Sequence, residues 1–475
     1  MDKEFIRFQI QKEIYQRSYY EFFKEAVKVL EPSVKWKYNF HHEYLCEMLQ
    51  KEVERIVAGV ERDKDYVINI PPRTTKSLIF TVCLNAWVWT RYPHIKFMTI
   101  SYGESLAIKL GYQTKLLIKS EWYQNQWGEV YQLSKDDSQK GSYSNDQGGI
   151  RESFGMNGSI TGSGADIIIL DDANKPKDIS DVMLTNVTDI FKDTVYNRLN
   201  NIDVGSRFVV QQRTHERDLS GYILANYEDD FSHICLPMEF DNNISPYYLA
   251  SEYVNGLLQP DRFNIQSINR YKKVLGSRNY SGQYKQKPVD EESAIIKKEW
   301  FNIIESNEEH NGIQFHFFID SAYTEKAKND PTGIILVGKL HNDIIIKKAW
   351  KYHLAFPDLI KKIIELMNTY GVRSSKIYIE PKASGLSIIQ QLKRSTKFNV
   401  LQIKPPKDSK EVRLNAVAPQ VESGRVFLLK DSWNDLFLEE VSGFPVAPHD
   451  EYPDLLGYSI DQFLNKQTKS NYAFA

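Results

Sequence analysis

Two groups of residues in this 475-residue chain have the types and spacing to do chemistry on phosphates. The first is Ile70-Pro-Pro-Arg-Thr-Thr-Lys-Ser77, which follows a strand-like run and opens a segment of helical periodicity. Exposed backbone N–H groups and the helix dipole at such a junction can hold phosphates, which makes the loop Pro72, Arg73, Thr74 and Thr75 a candidate cradle in which Pro72 has no N–H to donate. Lys76 would reach the β- and γ-phosphates of ATP, and the Ser77 hydroxyl would ligate Mg²⁺. As a Walker A pattern the segment is degenerate, because Ile70 and Thr75 stand at the two glycine positions, and a Lys-Ser pair can also be no more than a helix start. Its acidic complement is Ala165-Asp-Ile-Ile-Ile-Leu-Asp171-Asp172, an apolar strand ending in two carboxylates, as a Walker B element does. Asp171 would position Mg²⁺ and Asp172 would orient or deprotonate the attacking water. Paired Asp residues also occur in surface turns; the two elements ending different strands of one expected sheet argues for the nucleotide.

The second group is acidic: Asp320 after FHFFI, Glu380 after KIYI, and Asp450 in PHDEYPDLLGY, with Glu451 and Asp454 close by. Carboxylates are hard oxygen ligands that suit Mg²⁺ or Mn²⁺, and a pair of such ions can clamp the attacking and leaving oxygens of a phosphodiester. Any one of these acids alone reads as a turn residue. Together they persuade, because Asp320 and Glu380 would end neighbouring central strands and a C-terminal helix could carry Asp450 or Asp454 across to them.

The elements that must position these groups fall into two series. From Asp65 to about Met238 the runs YVINI, KFMTISY, ADIIIL and RFVVQQ alternate with helical segments, Ser77 to Arg91 and Glu104 to about Ser120 among them, as in a mostly parallel sheet flanked by helices. Between Phe240 and Glu309 the pattern weakens around Pro246, Gly256, Pro260 and Pro288, which reads as a linker or connecting subdomain. FHFFIDSAY, TGIILVG and DIIIKKAW then resemble a β-meander, followed by a helix (Pro357 to Tyr370), the strand KIYIE and a helix (Ser384 to about Ser395). The expected fold is α/β, a P-loop (RecA/ASCE-like) ATPase domain in 1–245 with an N-terminal helical extension, a connector in 246–308, and a ribonuclease-H-like nuclease domain in 309–475.

In order and spacing these motifs resemble the large terminase subunit of tailed bacteriophages, from about His41 to Gly457. PPRTTKS is similar to that family's phosphate loop, HHEYLCEMLQKEVERIVAG to its approach, TISYGESLA to its next motif, GSITGSGADIIILDD to its lead into Walker B, and QQRTHERDLSGYIL to its coupling motif. Gln211, Gln212 and Arg213 would end a strand beside Walker B, where a polar group, Gln212 above all, can sense γ-phosphate; a capped helix start at Thr214 to Asp218 is compatible with this. The resemblance implies that Arg73 stabilises transferred charge, on its own nucleotide or a neighbour's. It implies IDSAY and IEPKASG as the first two nuclease motifs and a final motif in which Glu451 and Leu455 replace the usual Asp and Ala, which leaves the third ligand open among Asp450, Glu451 and Asp454. Asp450 ranks ahead of Asp454 because it aligns with the first acid of the family pattern. Asp330 is a further acidic candidate. Lys404, Lys407, Lys410 and Arg413 would follow a DNA backbone, or else form a solvated loop.

The resemblance further implies ATP and Mg²⁺ as cofactors, with Mn²⁺ able to substitute in the nuclease. Implied partners are double-stranded DNA, a portal protein, a small terminase subunit and other copies of the chain in a ring on the procapsid. Bulk charge does not advertise nucleic acid, with 60 Lys and Arg against 62 Asp and Glu. Cys46, Cys83 and Cys235 lie far apart and suggest buried thiols. No apolar stretch approaches the ~20 residues of a membrane span, and the start lacks a signal-peptide core. The expected location is the host cytoplasm, with transient docking on the procapsid and absence from the mature virion. A helicase-like translocase fused to a nuclease is the alternative, but the segment before Asp320 is short for a second motor domain. A structural component that has lost catalysis is opposed by the intact Lys76, Ser77, Asp171 and Asp172.

Overall fold

The computed structural model describes residues 3–134, 141–160, 162–176, 180–288, 294–306, 310, 312–321, 331–371, 374–381, 385–405, 408–445 and 449–465. The chain divides into two compact units, Met1–Lys272 with Arg278–Val289, and Lys273–Ser277 with Asp290–Ala475. The stretch expected as a connector, 246–308, is thus shared between them. It contains a helix, Ile265–Gln283, that a weak apolar pattern and a non-helical residue at Gly276 (φ 73°) hide from periodicity. No helix among the described residues is long and apolar enough to cross a membrane.

The first unit is built on a seven-stranded sheet of β1 (Asp65–Asn69), β2 (Phe97–Ser101), β3 (Tyr143–Ser144), β4 (Ile150–Gly155), β5 (Ile167–Asp171), β6 (Ser206–Gln211) and β7 (Phe231–Cys235). Their order is β3-β4-β2-β5-β6-β1-β7, and only the β3–β4 pair is antiparallel. Every residue of β2, β5 and β6 is buried, as continuous apolar runs in a parallel sheet covered on both faces require. Strand β6 lies between β1 and β5, pairing Gln211 with Asn69 on one side and Val210 with Asp171 on the other. The loop after β1, the acids ending β5 and the glutamines ending β6 therefore meet at one carboxyl edge, where open α/β sheets place their ligands.

The second unit has its own seven-stranded sheet: β8 (Asn302–Ile304), β9 (Phe315–Asp320), β10 (Thr332–Leu340), β11 (Asp343–Tyr352), β12 (Lys376–Ile379), β13 (Asn399–Gln402) and β14 (Val426–Leu429). The order is β13-β12-β9-β10-β11-β14-β8, with β9, β10 and β11 forming the expected antiparallel meander and β12 running parallel to β9. Alternate residues feed two cores. Phe315, Phe317, Ile319, Ile377 and Ile379 pack on one side, with the amphipathic Phe356–Tyr370 and Gly385–Ser395 helices. Phe318 and Tyr378 point to the other, against Tyr452, Leu455, Leu456 and Ile460 of the Glu451–Ile460 helix. By the same alternation Asp320 and Glu380 fall on the side of that helix. Gly333, opposite Asp320 in the register, lets the helix approach the sheet, since a Cβ there would lie 2.8 Å from that of Glu451.

Candidate functional sites

At the carboxyl edge of the first sheet the candidate phosphate loop has φ of 66° at Thr75, one of the two glycine positions of the pattern, and at Arg73. Both lie in the left-handed region that residues with a side chain rarely adopt, β-branched ones least of all, whereas Ile70, the other glycine position, does not adopt it. The loop is pinned by the Thr74 hydroxyl, which donates to the Pro71 carbonyl at 2.7 Å. Helix begins at Lys76, but Leu78–Cys83 is wound as a π-helix before the α-helix Leu84–Trp89, a departure from the regular helix expected for Ser77 to Arg91.

The structure brings the two halves of the motif together: Lys76 Nζ lies 3.0 Å from Asp172 Oδ2, and the Thr81 hydroxyl donates to Asp171 Oδ2 at 2.8 Å. Burial, then the neighbouring Asp172 charge, pushes the Asp171 carboxyl up to about 6, while Lys76 and the Ser77 and Thr81 hydroxyls pull it down. One oxygen of each acid, Asp171 Oδ1 and Asp172 Oδ1, is buried without a hydrogen-bond partner. Two orphaned carboxylate oxygens beside a lysine and a serine hydroxyl form a donor set that fits Mg²⁺ carrying phosphate oxygens. Thr81 is a contact that sequence reading missed, although it lies four residues beyond Ser77.

Beside them, the Gln211 amide and Gln212 Oε1 are also buried without partners, so both glutamines remain available to a ligand. Arg213 is committed elsewhere. Its Nε donates to Asp218 Oδ1 at 2.9 Å, and Asp218 caps the Leu219–Asn226 helix by accepting from the Gly221 N–H. The capped helix start is therefore present a few residues after the strand that ends in Gln211.

In the second unit, ligand atoms of Asp320, Glu380 and Asp454 lie within 4.8 Å of one another. Burial first, then Glu380 and Asp454, pushes Asp320 up to about 7. Like charges held together out of water are stable only with protons or cations, and three converging carboxylates fit a divalent metal. Glu380 Oε1 accepts from the Tyr458 hydroxyl at 2.7 Å. Asp454 is flanked by Arg413 at 2.6 Å and Lys410 at 2.9 Å, and Arg413 also lies over the Tyr458 ring. Tyr458 was not anticipated, yet its spacing of four from Asp454 puts both on one helix face.

Of the two acids offered for the third position, the geometry brings Asp454 rather than the higher-ranked Asp450 to Asp320 and Glu380. Asp450 stands at the N-cap of the Glu451–Ile460 helix with its side chain 37% exposed and paired with Lys410 at 2.6 Å, whereas the Asp454 side chain, one turn further in, is 2% exposed. Glu451 turns to Lys351 at 2.6 Å. In the basic stretch, read either as following a DNA backbone or as a solvated loop, Lys410 and Arg413 belong to a helix, Lys410–Glu422, and pair with Asp450 and Asp454. Lys404 is exposed. Lys407 and Asp330 lie outside the described residues.

Residues 319–457 match the family model described as the terminase RNaseH-like domain, so the second unit carries an RNaseH-like domain and the resemblance is borne out there. No curated protein matches the chain. Among solved structures, the large terminase of a thermophilic bacteriophage is similar at 12% identity, covering 93% of this chain and 99% of that one with a TM-score of 0.45. The HK97 bacteriophage large terminase is similar at 10% identity over 87% of this chain and 89% of that one, with a TM-score of 0.36. The nuclease domain of the large terminase from bacteriophage SPP1, with bound Mn, is similar at 15% identity over 35% of this chain and 98% of that one, with a TM-score of 0.28. The fold assignment accordingly rests on the strand orders and the matched domain: an α/β chain with a P-loop unit followed by an RNaseH-like unit.

Proposed function

We propose that this chain is the motor subunit of a phage genome-packaging machine, in which the first unit hydrolyses ATP to translocate double-stranded DNA into a procapsid and the second cuts the concatemer. The observation that carries the reading is the triad Asp320, Glu380 and Asp454, assembled inside the stretch matched to the terminase RNaseH-like domain, in a chain whose other unit sets Lys76 against Asp171 and Asp172.

In the motor unit, the loop from Pro72 to Thr75 and Lys76 would bind the phosphates, with Ser77 and the Asp171 Oδ1 oxygen holding Mg²⁺. The ion, when bound, neutralises charge on the phosphates. Asp172 orients and takes the proton of the attacking water through its orphaned oxygen, while Gln211 and Gln212 sense whether γ-phosphate is there. Exposed Arg73 supplies the second positive charge at the loop's crest. In the nuclease unit Asp320, Glu380 and Asp454 would hold Mg²⁺ or Mn²⁺, which activates water and steadies the leaving oxygen of a phosphodiester. Tyr458 orients Glu380, and Arg413 orients Asp454. Portal protein, a small terminase subunit and further copies of the chain in a ring are the partners this activity calls for, and the host cytoplasm is where they meet.

The test is whether the purified full chain hydrolyses ATP faster when DNA is added and cuts plasmid DNA with Mn²⁺ or Mg²⁺. Lys76→Ala should lose the first activity and keep the second, and Asp320→Asn the reverse. A wild-type chain with neither activity would refute the reading.

A further inference from the structure

The π-helical turn after the phosphate loop has a consequence for the acid that would hold the nucleotide's metal. Widening Leu78–Cys83 leaves its carbonyls to side-chain donors from elsewhere in the first unit. The Tyr19 hydroxyl donates to Ile79, Arg151 Nη1 donates to the Thr81 carbonyl at 2.8 Å, and the Thr114 hydroxyl donates to Val82 at 3.0 Å. Thr81 is thereby held from both ends, its carbonyl by Arg151 and its hydroxyl on Asp171 Oδ2 at 2.8 Å. All three side chains are buried: Arg151 is fully enclosed on β4, and Thr81 and Asp171 are each 1% exposed. A buried guanidinium on a strand two places from β5, whose hydrogen bonds are one to a backbone carbonyl and a longer one, at 3.4 Å, to the Thr99 hydroxyl, is an expensive arrangement for packing alone. Its Nε has no hydrogen-bond partner, and the group lies near enough to Asp171 to feel its charge.

We propose that Arg151 and Thr81 are a buried positioning pair for the metal-holding carboxylate: Thr81 occupies Asp171 Oδ2, leaving Oδ1 as the ligand for the divalent ion of a bound nucleotide, and Arg151 keeps Thr81 in that place. The proposal rests on the ATPase reading above. Both residues are buried, so the proposal has their effect reach nucleotide binding through Asp171. Partners behind a metal ligand commonly change metal affinity by about 10-fold to 100-fold when removed.

The experiment measures the affinity of the full chain for a fluorescent ATP analogue, with Mg²⁺ and with EDTA, together with Mn²⁺ binding to the nucleotide complex by electron paramagnetic resonance. Thr81→Val keeps the side-chain volume and removes the donor. It should lose about 10-fold in the Mg²⁺-supported affinity and in Mn²⁺ binding while its EDTA affinity stays at the wild-type level, and Thr81→Ser should restore both. Arg151→Lys, checked by thermal melting to be folded, should repeat the Thr81→Val pattern more weakly. Wild-type behaviour of Thr81→Val under both conditions overturns the pair, as does a defect confined to EDTA. Nucleotide binding by the wild-type chain that ignores Mg²⁺ overturns the metal role of Asp171 and the pair with it, whereas a wild-type chain that neither binds the analogue nor hydrolyses ATP overturns the ATPase reading itself.

Discussion

Lys76 and Asp172 form an ion pair of 3.0 Å across the carboxyl edge of the first sheet, joining the residue that would meet the γ-phosphate to the acid that would activate water. Each neutralises the other, and a bound phosphate would compete with Asp172 for the lysine. Asp172 carries φ of 51°, a conformation Asp tolerates better than most residues, so its carboxylate is aimed by the turn itself.

The two partners should therefore fail differently. Asp172→Asn keeps the shape and loses the charge, so ATP binding should persist while turnover falls by about 10²-fold to 10⁴-fold, the usual contribution of a general base. Lys76→Ala should weaken binding itself. Phosphate release and equilibrium binding of a fluorescent ATP analogue measure the two effects, and unimpaired hydrolysis by Asp172→Asn would remove that residue from the reaction.

Thr75 holds φ of 66° with a β-branched side chain, a conformation that costs about 1–3 kcal/mol outside glycine. Relief of that strain should outweigh the added flexibility of the unfolded chain, so Thr75→Gly is expected to stabilise the first unit by about 1 kcal/mol, or roughly 2–4 °C in melting temperature. A lower melting temperature in calorimetry would show that the loop is not strained at this residue.

Within the acidic cluster, Asp454→Asn should abolish plasmid cleavage and Mn²⁺ binding, whereas Asp450→Asn should retain most of both, because only Asp454 meets Asp320 and Glu380. Tyr458→Phe removes the donor to Glu380 and should lower Mn²⁺ affinity by about 10-fold, the lower end of what such supporting contacts contribute. Titration calorimetry of the full chain with Mn²⁺ in the absence of nucleotide separates these cases. Loss of metal with Asp450→Asn but not with Asp454→Asn would reverse the assignment.

The pH dependence follows from Asp320, which burial and then Glu380 and Asp454 push up to about 7, against about 3.9 in an unfolded chain. Between those values the folded protein keeps a proton that the unfolded chain has lost. Its contribution to metal-free stability is thus full below about pH 4 and is lost as pH rises to about 7. A divalent ion takes the proton's place, so the rise in melting temperature on adding Mn²⁺ should be larger at about pH 8 than at about pH 5.5. Equal rises at the two pH values would mean that Asp320 does not share its site with the metal.

Much of this architecture was legible in the sequence because it depends on local pattern. Continuous apolar runs marked β1, β2, β5 and β6, the meander marked β9 to β11, and acids at strand ends marked Asp171, Asp172, Asp320 and Glu380. The polar strand β4 and the Ile265–Gln283 helix escaped, the first because Arg151 and Glu152 break its apolar alternation and the second because its apolar residues follow no clear face. What tertiary structure alone decided is which side chains meet. Choosing between Asp450 and Asp454 takes the depth at which the Glu451–Ile460 helix crosses the sheet, a distance set in part by the missing side chain of Gly333. The fates of Lys410 and Arg413 depend on a helix that lays them beside Asp454 rather than along a groove. Thr81 reaches Asp171 from a π-helical turn whose carbonyls are held by Tyr19, Arg151 and Thr114, and Arg151 lies 70 positions from Thr81 in sequence. Periodicity reports the face a residue occupies on its own element; contacts between elements are fixed by packing, and only folding brings Arg151 to Thr81 and Thr81 to Asp171.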